Sequence, residues 1–227
     1  MNYQTILIWA FALLFFIVFL FELRKENPNQ ATVRQIAYDA VFLSIILIMG
    51  FVPQMGYIAV VPGLSLTLMH LPVLLGAYLF GWKRGLLYGF FFGFTSWMQA
   101  LSSPVGFNAF FIVPWVSLLP RVLFGFLSGF FFKLLKNNPK ISRNVCVIGA
   151  IAMALTLIHT FLVFGALFVF DFEEMTAFFA SKEVVASALK LTFGGVILLG
   201  AIGESVLAAL LTPLLGKISL RLVERKK

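Results

Sequence analysis

The chain has 227 residues, of which 61% are hydrophobic and only 11% are charged, and its formal net charge is +8. So little polar surface cannot coat a water-soluble globule of this size, which excludes an ordinary soluble enzyme or binding domain. The apolar runs are about 18 residues or longer, as spanning helices require, whereas a barrel would show alternating segments of about 10 residues. The composition therefore predicts an all-α integral membrane protein without a soluble domain.

Seven apolar runs follow one another along the chain. The first, residues 5–21, has neither a basic leader nor a small-residue cleavage site, so it is predicted to be a retained transmembrane helix rather than a signal peptide. The others predict helices at residues 36–52, 66–80, 85–101, 110–132, 145–170 and 191–215. Between the second and third runs, residues 53–65 form an uncharged loop with two prolines and two glycines, which indicates a structured turn.

The basic residues concentrate in every second connection between these runs. Fourteen of the 17 lysines and arginines lie there or at the C-terminus, which the positive-inside rule assigns to the cytoplasm. The N-terminus is then outside and the C-terminus inside. Basic loops beside anionic lipid account for the net charge, so nucleic acid is not an expected partner. The uncharged loops 53–65 and 102–109 and the acidic loop 171–190 face outward, where a solute would arrive.

Glycine recurs at every fourth position of the fourth run, at Gly85, Gly89 and Gly93, and again at Gly125 and Gly129 in the fifth. Small residues at this spacing let helix backbones approach each other closely in lipid. We expect this face to pack on a neighbouring helix, either of the same chain or of a partner subunit. A phosphate-binding loop would instead have glycines in a turn followed by a lysine, so the pattern does not indicate a nucleotide site.

An arginine and a glutamate lie inside apolar runs. Arg121 follows Pro120 in the fifth run, and Glu204 lies near the middle of the last. Ionisable residues at membrane depth are candidates for function. Either the two side chains pair and hold helices together, or Arg121, alone or with Glu204, faces a cavity and contacts a polar solute. A guanidinium can bind a carboxylate through two parallel hydrogen bonds, so a solute that carries a carboxylate would suit this site.

The two histidines, His70 and His159, are far apart in the sequence and have no His or Cys beside them. A zinc site requires three or four ligands, so no metal or cofactor is predicted. His70, beside the first outer loop, suits either a substrate hydrogen bond or a structural role, whereas His159 is predicted to be structural. A membrane-embedded hydrolase using His70 or His159 with Glu204 is an alternative, although no nucleophile motif accompanies these residues. A stand-alone ion-coupled carrier is another, but the inverted repeat typical of such carriers is not visible.

Neutral polar and aromatic side chains gather where the glycine-rich helix reaches the outer surface. They are Thr95, Ser96, Trp97, Gln99, Ser102, Ser103 and Asn108. Tryptophan at this level is expected as an interfacial anchor. So many neutral hydrogen-bonding groups beside uncharged loops would also suit a site for a small polar molecule. No catalytic residue is predicted.

Several stretches of the chain resemble the substrate-binding S component of energy-coupling factor (ECF) vitamin transporters. In chain order they are TVRQIAYDAVFLSIILIMGFVP, LSLTLMHLPVLLGAYLFGWKRGLLYGFFFGFTS, LPRVLFGFLSG and GESVLAALLTPLLGK. The pantothenate-type members are indicated by the T-x-x-H-x-P run at Thr67, His70 and Pro72, and by the helix with the pattern G-x-x-x-G-x-x-x-G-x-T-S. The resemblance covers residues 32 to about 222.

The resemblance implies a six-helix S-component bundle at residues 32–227, to which residues 1–31 add the extra N-terminal transmembrane helix and a basic linker. It implies a non-enzymatic subunit of the bacterial cell membrane that captures a water-soluble vitamin, pantothenate or another B vitamin, from outside. Such a subunit docks on a membrane-embedded T subunit driven by two cytoplasmic ATPases, and topples in the membrane to release the vitamin inside.

The resemblance also assigns parts of the chain to tasks. Loop 53–65 would be a lid over the vitamin, with loops 102–109 and 171–190 as further walls. The small-residue motif that docks on the T subunit is matched most closely by Ala37, Ala40 and Ser44. Together with the polar residues above, the predicted substrate-binding set is Tyr57, Thr67, His70, Trp97, Gln99, Asn108, Arg121 and Glu204.

Overall fold

A computed structural model of the chain describes residues 30–52, 55–61, 64–103, 106–138, 144–170 and 186–224. The predicted N-terminal helix at residues 5–21 lies outside these ranges, so it and the division after residue 31 stay predictions. The chain separates into two compact units, residues 1–41 and 42–227. In the first unit, Gln35 Nε2 donates to Asp39 Oδ1 at 3.2 Å, a bond between successive turns of one helix.

Six α-helices and one β-hairpin make up the described chain. The helices are α1 (Gln30–Phe51), α2 (His70–Phe80), α3 (Trp82–Ser102), α4 (Pro114–Lys136), α5 (Val145–Phe170) and α6 (Ala186–Glu224). Strand β1 (Tyr57–Val61) pairs antiparallel with β2 (Leu64–Thr67), and a 3₁₀ helix at Gly106–Ile112 precedes α4. The helical fold class is confirmed, and the loop predicted to be a structured turn contains β1 and the start of β2.

Four of the described helical segments are long and apolar enough to cross a bilayer. They are Val33–Phe51, Pro114–Lys136, Val145–Phe170 and Gly200–Ser219. Their outer faces carry large apolar side chains such as Phe161, which is 75% exposed, and Leu210, which is 63% exposed. Such surfaces are stable in lipid and not in water, which agrees with the predicted multi-pass membrane protein.

Two helices begin later in the chain than expected from the sequence. The third predicted helix, 66–80, begins only at His70, because Leu66 and Thr67 pair with β1 in the hairpin. The fifth, 110–132, is replaced by α4 at Pro114–Lys136, with residues 110–112 in the 3₁₀ helix. Proline at the first helical position explains this start, since its missing N–H is not needed there.

The glycine-rich face of α3 packs on α4, and the two helices run antiparallel. A Cβ atom on Gly85 would overlap the carbonyl oxygen of Gly125, and one on Gly89 would overlap that of Arg121. A Cβ on Gly93 would lie 2.9 Å from the Cα of Leu118. This face therefore meets a helix of its own chain, which decides between the two partners that the sequence left open. The contact also fixes the backbone of Arg121 against α3.

An apolar cluster joins α3, the 3₁₀ helix, α4 and α5 at the end of the bundle where α3 ends and α4 begins. Its buried members are Ala100, Phe110, Phe111, Val116, Val163 and Leu167. Phe111 also contacts the guanidinium of Arg121. The apolar cluster therefore borders directly on the most polar part of the interior.

Candidate binding site

Four ionisable side chains from four helices come together inside the bundle, and we call them the buried polar cluster. They are His70 of α2, Arg121 of α4, His159 of α5 and Glu204 of α6, and none is more than 9% exposed. The charge of Arg121 acts on both Glu204 and His159, and His159 lies within electrostatic range of His70. Burying ionisable groups in an apolar bundle is costly, so such a convergence indicates function.

The position of Arg121 follows from the proline before it. In a regular helix the N–H of residue 120 would donate to the carbonyl of Val116, but Pro120 has no N–H. Arg121 Nη1 donates to that same carbonyl at 2.7 Å. The side chain therefore satisfies a backbone acceptor that lies about one turn closer to the start of α4. One of the five N–H donors of the guanidinium is used in this way.

Aromatic rings flank the guanidinium of Arg121. Its Cζ atom lies 4.7 Å from the ring centroid of Phe111 and 5.8 Å from that of Phe92. The ring faces attract the cation, and this attraction is stronger when water is excluded. Packing and the bond to Val116 thus hold the guanidinium in one place, as recognition of a planar carboxylate requires.

Glu204 ties α6 to the hairpin. Its Oε1 atom accepts a hydrogen bond from the backbone N–H of Thr67, the last residue of β2. Two residues separate Thr67 from the start of α2, so this bond fixes the junction between strand and helix. The predicted residues Thr67, His70, Arg121 and Glu204 therefore lie close together, with Thr67 contributing its main chain.

His70 and His159 are buried imidazoles whose ring nitrogens have no hydrogen-bond partner within the described ranges. The His70 ring lies close to the backbone of Thr67 and Glu204, yet makes no hydrogen bond of normal geometry to either. His159 packs between Phe124 and Phe92, at 4.7 and 5.5 Å between ring centroids. Buried polar atoms normally have partners, so these nitrogens are suited to bind a ligand.

The remaining predicted substrate residues lie at the end of α3 and beyond it. Trp97 Nε1 donates to the carbonyl of Ile112 at 2.9 Å, and Asn108 Nδ2 to that of Ser103 at 3.2 Å. Gln99 is partly buried, and its backbone carbonyl accepts the N–H of Ser103. The side chain of Tyr57 lies outside the described part of the chain. These bonds join α3 to the 3₁₀ helix, and the substrate role of all four residues stays a prediction.

The three residues predicted to dock on a T subunit, Ala37, Ala40 and Ser44, are all exposed on α1. Ala40 and Ser44 are one turn apart and share a helix face. This exposure is compatible with docking, which stays a prediction.

The described residues can be compared with two kinds of catalytic site. No three His, Cys, Asp or Glu side chains among the described residues are placed to hold a metal ion. A nucleophile activated by histidine would be hydrogen-bonded to an imidazole, and within the described chain neither imidazole makes such a bond. The cluster contains the guanidinium of Arg121 and the imidazole rings of His70 and His159.

Two residues that lie at or beside the buried polar cluster were not in the predicted binding set. His159 was expected to be structural, and Phe111 was placed in a predicted helix without a role. A lone histidine in an apolar run resembles any buried histidine, and only its approach to Arg121 and His70 distinguishes it. Its position among polar turns, one turn after Thr156 and beside Thr160, is the one signal that could have raised it.

Most of the chain is similar to known proteins. A sequence model described as "ECF transporter, substrate-specific component" matches residues 34–216. The pantothenate transporter PanT of Leuconostoc mesenteroides is 31% identical over 123 residues, which span 52% of this chain and 60% of that protein. The pantothenic acid transporter PanT of Lactococcus lactis subsp. cremoris is 28% identical over 192 residues, which span 78% of this chain and 89% of that protein. The match to the Leuconostoc relative thus covers less than two thirds of its length.

Proposed function

Since the chain belongs to the family of ECF transporter substrate-specific components, we propose that it captures pantothenate outside a bacterial cell for ATP-driven import. The substrate is suggested by two relatives named as pantothenate transporters. The observation that carries the proposal is the buried polar cluster, which contains a fixed guanidinium and two imidazoles without partners among the described residues.

The chemistry of pantothenate matches this arrangement. Its carboxylate would bind the guanidinium of Arg121, which Phe111 and Phe92 hold in place. Its amide and hydroxyl groups would meet His70 and His159, whose neutral rings can each donate one hydrogen bond and accept one. Such a ligand removes the cost of leaving these buried nitrogens unsatisfied.

The hairpin and its anchor would control access to the site. Loop 53–65 is the proposed lid, and Glu204 holds its last strand through Thr67. Trp97, Gln99, Asn108 and Tyr57 would contribute to the outer wall. The proposed orientation places the N-terminus outside and the C-terminus in the cytoplasm, since basic connections favour the inner surface.

Energy for transport would come from partner subunits. We propose that the chain assembles with a membrane-embedded T subunit and two cytoplasmic ATPases, and that Ala37, Ala40 and Ser44 of α1 form part of the contact. The chain itself then binds and releases the vitamin without hydrolysing ATP. This role distinguishes it from a hydrolase, which would convert its substrate.

The proposal is tested by measuring binding to the purified chain without ATP or partner subunits. Pantothenate should bind saturably, and riboflavin, folate and pyridoxine should bind much more weakly. Conversion of any of these compounds by the isolated chain would contradict a transport role. Saturable binding of another vitamin in place of pantothenate would keep the capture role and reject the proposed substrate.

Arg121 is tested by substitution with alanine. Losing a hydrogen-bonded partner of a buried charge costs about 2–5 kcal/mol, so Arg121→Ala should weaken pantothenate binding at least roughly 30-fold. Lys133→Ala is the matched control, since it removes an exposed cation from the last turn of the same helix. Equal affinity for the Arg121→Ala variant and the control would show that Arg121 serves packing alone.

A further inference from the structure

The net charge of the buried polar cluster affects how favourably it binds an anion. This inference rests on the proposed function, because it starts from a substrate that carries a carboxylate. The cluster contains one guanidinium, one carboxyl group and two imidazoles. With Arg121 charged, Glu204 ionised and both histidines neutral, these side chains have no net charge. A bound substrate carboxylate would then leave one negative charge uncompensated.

That uncompensated charge would be costly where it lies. The side chains of the cluster are at most 9% exposed, so little water is available to solvate it. Two carboxylates beside one guanidinium also repel each other, and such pairs hold one member as the neutral acid. One added proton removes both the net charge and the repulsion.

We propose that binding of the substrate anion is accompanied by uptake of one proton from water onto the carboxyl group of Glu204. The geometry allows this without loss of the anchor between α6 and the hairpin. Oε1 of Glu204 accepts the N–H of Thr67, and the carbonyl oxygen of a neutral carboxyl group accepts that bond as well. The proton is carried by the other oxygen, Oε2.

The titratable neighbours of Glu204 favour this site for the proton. Among the described residues, α4 contributes Arg121, α2 contributes His70 and α5 contributes His159, while β2 contributes the uncharged main chain of Thr67. Protonating His159 would place a second cation within electrostatic range of Arg121, and like charges disfavour this. Protonating Glu204 removes a negative charge from beside the incoming anion instead.

The test is the pH dependence of pantothenate binding to the whole purified chain, from about pH 6 to 8.5, where the substrate carboxylate stays ionised. The dissociation constant should rise with pH, approaching about tenfold per pH unit at the alkaline end. Calorimetry at that end in two buffers of different ionisation enthalpy should count about one proton taken up per pantothenate bound.

Two controls assign the proton. Glu204→Gln keeps an amide oxygen for the N–H of Thr67 but cannot ionise, so its dissociation constant should not change with pH. An analogue of pantothenate with an alcohol in place of the carboxylate should bind the unmodified chain equally at all these pH values.

The outcomes separate this inference from the proposed function. Saturable binding of pantothenate with no pH dependence and no proton uptake would overturn the inference alone. The same rise of the dissociation constant in Glu204→Gln would overturn the assignment to Glu204. Should that variant fail to fold, the proton count for the unmodified chain decides whether a proton is taken up. Absence of binding at every pH would overturn the proposed function and the inference together.

Discussion

Arg121 donates a hydrogen bond of 2.7 Å to the carbonyl of Val116, which is the acceptor that Pro120 cannot serve because it lacks an N–H. The proline and the arginine that follows it therefore act as a pair. Pro120 leaves the carbonyl of Val116 without a main-chain donor, and Arg121 donates to it instead. This bond holds the Arg121 side chain at a defined position along α4. An unsatisfied backbone carbonyl is especially costly in a bilayer. The hydrogen bond from the Arg121 side chain therefore stabilises α4 in place of the missing main-chain bond.

This pairing predicts a coupling between substitutions at the two positions. Arg121→Ala alone should leave the Val116 carbonyl without its partner, at a cost of about 1–3 kcal/mol in the free energy of unfolding. In a Pro120→Ala background the helical N–H is restored, and the cost of Arg121→Ala should shrink by about 1 kcal/mol. Unfolding of the four proteins in a detergent series measures the coupling. An equal cost in both backgrounds would contradict it.

The anchor between Glu204 and Thr67 predicts a difference between two substitutions of Glu204. Glu204→Ala removes the acceptor of the Thr67 N–H and should lower the free energy of unfolding by about 1–3 kcal/mol. Glu204→Gln keeps an oxygen in that place and should lose less. Thermal unfolding in detergent compares the two variants with the unmodified chain. Equal losses would show that the carboxyl group matters through its charge rather than through this bond.

The close approach of α3 and α4 predicts that a single methyl group is harmful at Gly89. The added Cβ would overlap the carbonyl oxygen of Arg121, so the helices must separate, at a cost of about 1–3 kcal/mol. Gly165→Ala is the control, since a Cβ there meets nothing within 4 Å. Thermal unfolding and pantothenate affinity should both decline for Gly89→Ala and stay unchanged for Gly165→Ala.

His159 offers a test that separates ligand binding from packing. His159→Leu keeps an apolar side chain against Phe92 and Phe124 but removes both ring nitrogens. Stability should be retained, while pantothenate affinity should fall by roughly 2- to 13-fold, the loss of one neutral hydrogen bond of about 0.5–1.5 kcal/mol. Thr156→Val, which removes a hydroxyl bonded to Ala152 on the same helix, is the control and should bind normally. Unchanged pantothenate affinity in His159→Leu would show that His159 has a structural role alone.

Docking on the T subunit is tested on the exposed face of α1. Ala40→Trp adds a large side chain where the proposed contact needs close approach, so it should abolish co-purification with the T subunit and spare pantothenate binding. Val41→Trp enlarges the next residue, which is 55% exposed and points elsewhere on the helix. Co-purification with Ala40→Trp at the normal level would place the contact on another surface.

Much of the architecture could be predicted from the sequence, because lipid imposes strong rules on composition. Apolar runs of spanning length predict helices, and the family was recognisable from residues such as Thr67, His70 and Pro72. Boundaries were harder to predict. The start of α2 depends on the pairing of Thr67 with Tyr57 across the hairpin, and apolar residues at a strand end look like the start of a helix.

Composition and residue spacing are sufficient to predict a helical membrane protein with glycines spaced for close packing and a few ionisable residues inside. Which of these groups meet depends on the tertiary structure. Gly89 and Arg121 are brought together by antiparallel packing, and His159 lies near Arg121 although 37 residues separate them in the chain. Periodicity along one helix says which face is small or polar, whereas the partner of that face depends on how several helices fill space together.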